Sequence, residues 1–187
     1  MNKVKSIINK ITNILFVFYP FIIYLSLHYQ HIELAIFYLI FLFVFRLITL
    51  PKLVSNIKWL SIVVTCFGLL LTVISWLFSK YQLLLFYPVA VNLIFFIVFS
   101  YSLTQPQTII EKFARMNNPQ LPNQAIRYKR NVTIFWSLFF IFNGSVALIT
   151  CLLENMYWWT IYNGLISYLL IGICMGMEWL IRQKFQR

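Results

Sequence analysis

The chain has 187 residues, 61% of them hydrophobic and only 10% charged, and its net charge is +11. Soluble domains carry about 25% charged residues. At a mean hydropathy of +0.82 this chain could not cover itself with polar surface in water, which excludes a soluble globular protein. In a soluble chain the positive charge would point to nucleic acid; here the cations lie between apolar stretches, where they set topology and attract anionic headgroups.

A helix needs about 20 apolar residues to cross the hydrocarbon core. Stretches at 9–28, 32–50, 59–78, 82–104, 132–152 and 157–181 meet that need. The sequence therefore predicts an all-α, polytopic membrane protein with six transmembrane helices in one domain over 1–187. Lys3, Lys5 and Lys10 precede the first stretch as in a signal peptide, but no small-x-small cleavage pattern follows, so an uncleaved first helix is expected. His28, His31 and Glu33 occupy the turn after it. Two imidazoles and a carboxylate are metal-ligand types, yet such a pair also arises in ordinary surface turns, and neither a metal nor another cofactor is expected. Ser79-Lys80-Tyr81-Gln82 separates the third and fourth stretches as a turn. Phe18-Tyr19-Pro20 recurs as Phe86-Tyr87-Pro88, as an inverted repeat would leave it, although no other helix pair matches at that offset.

The cations fix the orientation. Lys3, Lys5, Lys10, Arg46, Lys52, Lys58, Lys112, Arg115, Arg127, Lys129, Arg130, Arg182, Lys184 and Arg187 fall on one side, and Lys80 alone on the other. The positive-inside rule then puts both ends in the cytoplasm, and an even number of spans agrees in putting them on the same side. Tyr157, Trp158 and Trp159 at the outer start of the sixth span, with Trp59 and Trp179 at inner ends, fit the interfacial aromatic belt.

The long connection over 105–131 is cytoplasmic in this orientation. Thr108 and Glu111 form a capping-box pattern, and Ile109, Ile110, Phe113 and Met116 recur at helical spacing with Lys112 and Arg115 between them. A short amphipathic helix on the inner leaflet is expected, followed by an irregular Asn118-Pro119-Gln120-Leu121-Pro122 segment. The polar residues of this loop, Glu111, Arg115, Arg127, Tyr128, Lys129 and Arg130, are candidates for contact with lipid headgroups or for docking a cytosolic partner.

Polar groups within spans are costly and need a partner or a task. Asn92, Asn143 and Asn163 are the intramembrane candidates; they either bond between helices or line a polar pocket. Gly144 and Gly164 follow two of them and allow close helix approach, as does the Gly172-x-x-x-Gly176 pair. Arg46 and Glu178 lie at matching depths near inner ends, where they can form an ion pair or reach separately to the headgroups. Cys66, Cys151 and Cys174 sit in apolar stretches with no C-x-x-C spacing, so they read as small hydrophobes rather than zinc or redox ligands. Asn131-Val132-Thr133 and Asn143-Gly144-Ser145 match glycosylation acceptors but fall on the cytoplasmic side and in mid-membrane. No phosphate-binding glycine loop, H-E-x-x-H, G-x-S-x-G, carboxylate pair or acyltransferase-type His…Asp motif occurs, and catalysis is not expected.

The second half carries a resemblance. Pro106, Ile110-Glu111 and Ala114-Arg115 are followed by Pro119-Gln120-Leu121-Pro122, Arg127-Tyr128, Arg130 and Val132-Thr133. Trp136, Phe139-Phe140, Asn143-Gly144, Tyr162-Asn163-Gly164-Leu165-Ile166, Tyr168, Gly172, Glu178 and Arg182 complete the run. This pattern, over about 105–182, resembles an uncharacterised family of small bacterial inner-membrane proteins encoded among fatty-acid and aryl-polyene (xanthomonadin-type) lipid genes. A looser likeness, in size, a late Leu-Pro, a Trp-x-x-Phe-Phe span and a following Gly, is to the intracellular septation protein A family. The resemblance implies an accessory role in envelope-lipid synthesis, with an acyl carrier protein or an acyltransferase as partner, beside an anionic bilayer. The alternatives are a small lipid flippase or transporter with the three Asn along its path, and a septation or envelope-integrity scaffold. Neither family carries an established reaction, so no catalytic residue is transferred.

Overall fold

A computed structural model of the chain describes residues 14–49, 55–117 and 122–185. Lys3, Lys5, Lys10, Lys52 and Arg187, the start of the first predicted span and the Asn118–Leu121 stretch lie outside them. The helices are α1 (Tyr19–His28), α2 (Ile32–Thr49), α3 (Ser55–Leu77), α4 (Tyr87–Ser102), α5 (Ile109–Asn117), α6 (Asn123–Leu152), α7 (Met156–Ile161) and α8 (Ser167–Phe185). A 3-10 segment, Tyr81–Phe86, leads into α4, and a π-helical turn, Tyr162–Ile166, joins α7 to α8. No strand occurs among the described residues. Four helical stretches among them are long and apolar enough to cross a membrane: Trp59–Leu77, Tyr81–Ser102, Asn123–Leu152 and Met156–Gln183. They correspond to the third to sixth predicted spans, and the chain is a multi-pass membrane protein by this measure.

The short turns share one device. Gln30, Ser79 and Glu154, none of them glycine, hold φ of 59°, 50° and 53°. After α1, the His31 N–H donates to the Ser26 carbonyl (2.8 Å) and Gln30 N–H to Leu27 (3.3 Å). After α3, Lys80 N–H donates to Ser75 (3.1 Å) and Ser79 N–H to Trp76 (3.3 Å). These are the paired bonds of a Schellman stop, which satisfies the last carbonyls of a helix through one left-handed residue. The expected turn at Ser79 is therefore present, with a terminating geometry that glycine would adopt more easily.

Contacts group the chain into two compact units. The first comprises 1–87 and 150–165. Pro20 occupies the first turn of α1, where its missing N–H leaves no helix bond unmade. Its neighbour Tyr19 meets Tyr87 edge to face, ring centroids 5.4 Å apart, so the two Phe-Tyr-Pro copies bring their tyrosines together. Phe43 packs on Tyr87 at 5.5 Å. Gly68 lies against both rings: a Cβ there would come 2.5 Å from Phe43 Cε1 and 2.8 Å from Tyr87 Cε2. The void left beside it, lined by Tyr19, Phe43, Thr72, Leu84 and Tyr87, measures about 10 Å³, room for no more than one water.

The second unit comprises 88–149 and 166–187. Phe140 of α6 stacks on Phe95 (5.0 Å) and meets Phe99 edge-on (5.1 Å), which joins α6 to α4 through aromatic surface. Here one expectation is corrected. The connection predicted over 105–131 is helical from Asn123 onward, so Arg127, Tyr128, Lys129 and Arg130 stand on α6 and not in a loop. Hydropathy marks where apolar residues begin, whereas the helix begins where the backbone can. Pro122 lies just before α6, its carbonyl accepts from Ile126 N–H at 3.2 Å, and nothing between 123 and 131 breaks a helix. A helix of 30 residues is about 45 Å long against a hydrocarbon core of about 30 Å, so its polar first turns project from the membrane.

Two stability changes of opposite sign follow. Gly68→Ala should lower the melting point of the detergent-solubilised chain, by an overpacking cost of about 1–3 kcal/mol, and Phe43→Leu in the same chain should recover part of it. Ser79→Gly should raise the melting point, since relief of the left-handed strain is worth about 1 kcal/mol or less once the unfolded-state entropy of glycine is included. A melting point unchanged by Gly68→Ala would contradict the close packing at Phe43.

Candidate functional site

The polar side chains form three groups. In the second unit, Asn143 (2% exposed) donates through Nδ2 to Asn92 Oδ1 at 3.0 Å and to Ser167 Oγ at 2.9 Å. Asn92 in turn donates to the Pro88 carbonyl at 2.8 Å, one turn back on its own helix. Gly144 allows the approach: a Cβ there would sit 3.0 Å from Asn92 Cβ. An amide has two N–H donors, and Asn143 uses its pair to tie α6 to α4 and α8. Ser167 is the member that the sequence did not single out, because a lone serine in a span carries no signal until its neighbour is known.

In the first unit, Asn163 lies within the π turn, where the regular ladder is displaced. Its Nδ2 donates to the Trp159 carbonyl at 2.9 Å and to Thr150 Oγ1 at 3.2 Å. Gly164 beside it faces the Phe21 ring, 2.9 Å from a would-be Cβ. Trp159, 1% exposed, donates Nε1–H to the Leu85 carbonyl at 3.0 Å, and Cys151 donates its thiol to the same oxygen at 3.1 Å. That carbonyl belongs to the 3-10 segment, whose poorer hydrogen-bond geometry leaves acceptors to be served from elsewhere. Cys151 is buried as expected, but Cys66 is exposed on the surface of α3. Arg46 holds its guanidinium 5.2 Å from the Phe16 ring centroid, a cation–π distance.

The third group is cytoplasmic in the predicted orientation and belongs to the second unit. Ser102 Oγ accepts from Ile109 N–H (3.2 Å) and Thr108 Oγ1 from Glu111 N–H (3.3 Å), which fixes the start of α5 to the end of α4. Half of the expected capping box is formed; the Glu111 carboxylate goes to Arg115 at 2.8 Å, one turn on. Further along, Glu178 of α8 accepts from Tyr128 OH at 3.4 Å and faces Lys129 Nζ at 3.9 Å. Tyr128 OH also reaches the Glu178 carbonyl at 3.2 Å. The described partners of Glu178 are thus Tyr128 and Lys129.

Two sequence candidates gain no site. No three His, Cys, Asp or Glu side chains among the described residues converge as ion ligands; His28 stacks on Tyr24 instead, at 6.0 Å. A Cβ added at Gly172 or Gly176 meets nothing within 4 Å, so the tight packing expected of that pair is not made by the described residues. The arrangement as a whole offers hydrogen-bonded amides, a fixed amphipathic helix and a charged group at a span boundary.

The amide group can be weighed by a double-mutant cycle. Replacing Asn92 and Asn143 by Leu singly and together should give a coupling of about 0.6–1.7 kcal/mol in detergent unfolding, the range for hydrogen bonds between membrane helices. Strictly additive losses would show that the 3.0 Å contact contributes nothing.

Compared with known proteins, the chain matches no family model, no curated protein and no solved structure.

Proposed function

We propose that the chain is a non-enzymatic accessory protein of envelope-lipid synthesis in the bacterial inner membrane. On this reading it crosses six times with both ends in the cytoplasm. It offers α5 and the projecting turns of α6 to a cytoplasmic partner, an acyl carrier protein or an acyltransferase.

The observation that carries this reading is the way α5 is turned. Thr108 and Glu111 are buried at 2% and 3% exposure, while Phe113 and Met116 are 37% and 44% exposed. In water that orientation leaves apolar surface uncovered; at the inner leaflet the same Phe and Met enter the headgroup boundary, with Lys112 exposed beside them. Arg127 and Arg130, exposed on the projecting turns of α6, suit an acidic partner. The pathway itself comes from the resemblance over about 105–182 to proteins encoded with aryl-polyene-type lipid genes. A second reading, a small lipid flippase, draws on the Tyr19–Tyr87 contact, since inverted repeats bring equivalent positions together about their axis.

Lipid and pigment extracts of a deletion strain and its complemented parent, compared by mass spectrometry, test the proposal. One acyl or polyene lipid should be lost on deletion. The double variant Arg127→Glu, Arg130→Glu should insert normally yet lower that lipid about tenfold or more, the effect of some 1.4 kcal/mol of lost association. An unchanged extract with filamentous cells would replace this reading with a septation scaffold. Headgroup flipping by the purified chain in vesicles would replace it with a flippase.

A further inference from the structure

The Glu178 group lies where the apolar stretches end. Lys129 precedes the apolar run of α6 by three residues, and Arg182 directly follows the apolar run of α8, which ends at Ile181. Headgroup phosphates sit at that depth, just outside the hydrocarbon. Arg182 is one turn beyond Glu178 on α8, hence on the same helical face, and its charge acts on both Tyr128 and Lys129. Glu178 and Lys129 are largely enclosed, with side-chain exposures of 20% and 10%.

The charges do not balance. Glu178 supplies one negative charge against two positive ones. At 3.9 Å from Lys129 Nζ its carboxylate is beyond a short charge-assisted hydrogen bond. The Arg182 guanidinium has no ion pair among the described residues. A cation held part-buried without an acid needs a compensating anion, and a guanidinium fork matches a phosphate better than any other common group. We propose that Lys129 and Arg182 bind the phosphate of an anionic phospholipid headgroup, with Tyr128 and Glu178 as positioning residues that hold Lys129 toward it. The surplus of one positive charge favours a headgroup of net −1, such as phosphatidylglycerol, over a zwitterionic one. The inference rests on the membrane orientation proposed above, but not on the lipid pathway or on the Arg127–Arg130 surface.

The test is native mass spectrometry of the full chain released from vesicles of equimolar phosphatidylglycerol and phosphatidylcholine. The wild-type chain should retain phosphatidylglycerol in preference to phosphatidylcholine. Arg182→Gln should reduce that preference about tenfold, the loss of one hydrogen-bonded charge contact, Arg182→Lys should restore part of it, and Arg127→Gln should leave it unchanged. Equal retention by wild type and Arg182→Gln in chains that resist alkaline extraction would overturn the site while leaving the membrane reading intact; chains that wash out would overturn the membrane reading itself. Displacement of the retained lipid by millimolar inorganic phosphate would show that the site takes free phosphate and would overturn the lipid as its ligand.

Discussion

A polar group inside hydrocarbon has no water to bond, so every donor and acceptor that enters the membrane must find its partner within the protein. The hydroxyls along the spans obey this locally. Thr65 and Thr72 in α3, and Thr133, Ser137 and Ser145 in α6, each donate to a carbonyl one turn back at 2.6–3.0 Å. Such back-bonding lets a hydroxyl sit on an apolar helix without a second helix to receive it. Asparagine cannot be silenced so cheaply, because it brings two N–H donors and an acceptor. Asn92, Asn143 and Asn163 therefore reach across to other side chains, and the places they occupy become fixed points of the fold.

The same constraint governs how the helices stop. A span that ends in a tight turn at the membrane surface must still satisfy its last carbonyls. At Gln30 and Ser79 the chain does so with left-handed residues that are not glycine. The strain is tolerated because the alternative, unpaired carbonyls at the edge of hydrocarbon, costs more per group than the roughly 1–2 kcal/mol of an unfavourable backbone conformation. The start of α6 works differently. The helix is longer than a crossing needs by about ten residues, and its backbone satisfies itself all the way along, so its first turns can carry charge to a defined position.

Much of this was legible in the sequence, and the exceptions have a common cause. Composition and the length of the apolar runs identified a helical membrane protein, and the runs at 59–78, 82–104, 132–152 and 157–181 match the four long apolar helices in position. Gly144 and Gly164 lie at close approaches, as small residues next to a polar one predict. Hydropathy could not see the first turns of α6, because Arg127, Lys129 and Arg130 are polar yet good helix formers. Nor could it see the π turn at Tyr162–Ile166, which depends on how the ladder is displaced around Asn163 and Gly164. The partners Ser167 for Asn143 and Lys129 for Glu178 are separated in the chain by 24 and 49 residues. Pairing at that separation is decided by which helices touch, and no local pattern encodes it.

These observations divide the polar residues of the chain by what they leave over. The buried amides spend their donors on other parts of the protein: Asn143 on Asn92 and Ser167, Asn163 on Trp159 and Thr150. A group in that condition organises helices, and a substrate would have to break existing bonds to use it. The boundary residues are different in kind. Arg127 and Arg130 stand exposed on turns that the membrane does not cover, and Lys129 with Arg182 outnumber the one carboxylate beside them. Charge that is positioned by structure but not neutralised by it acts on whatever comes next, whether a headgroup phosphate or an acidic partner. Charge left over in this way stands at the polar start of α6 and the polar end of α8, and the buried amides are the means by which α6 is held against α4 and α8.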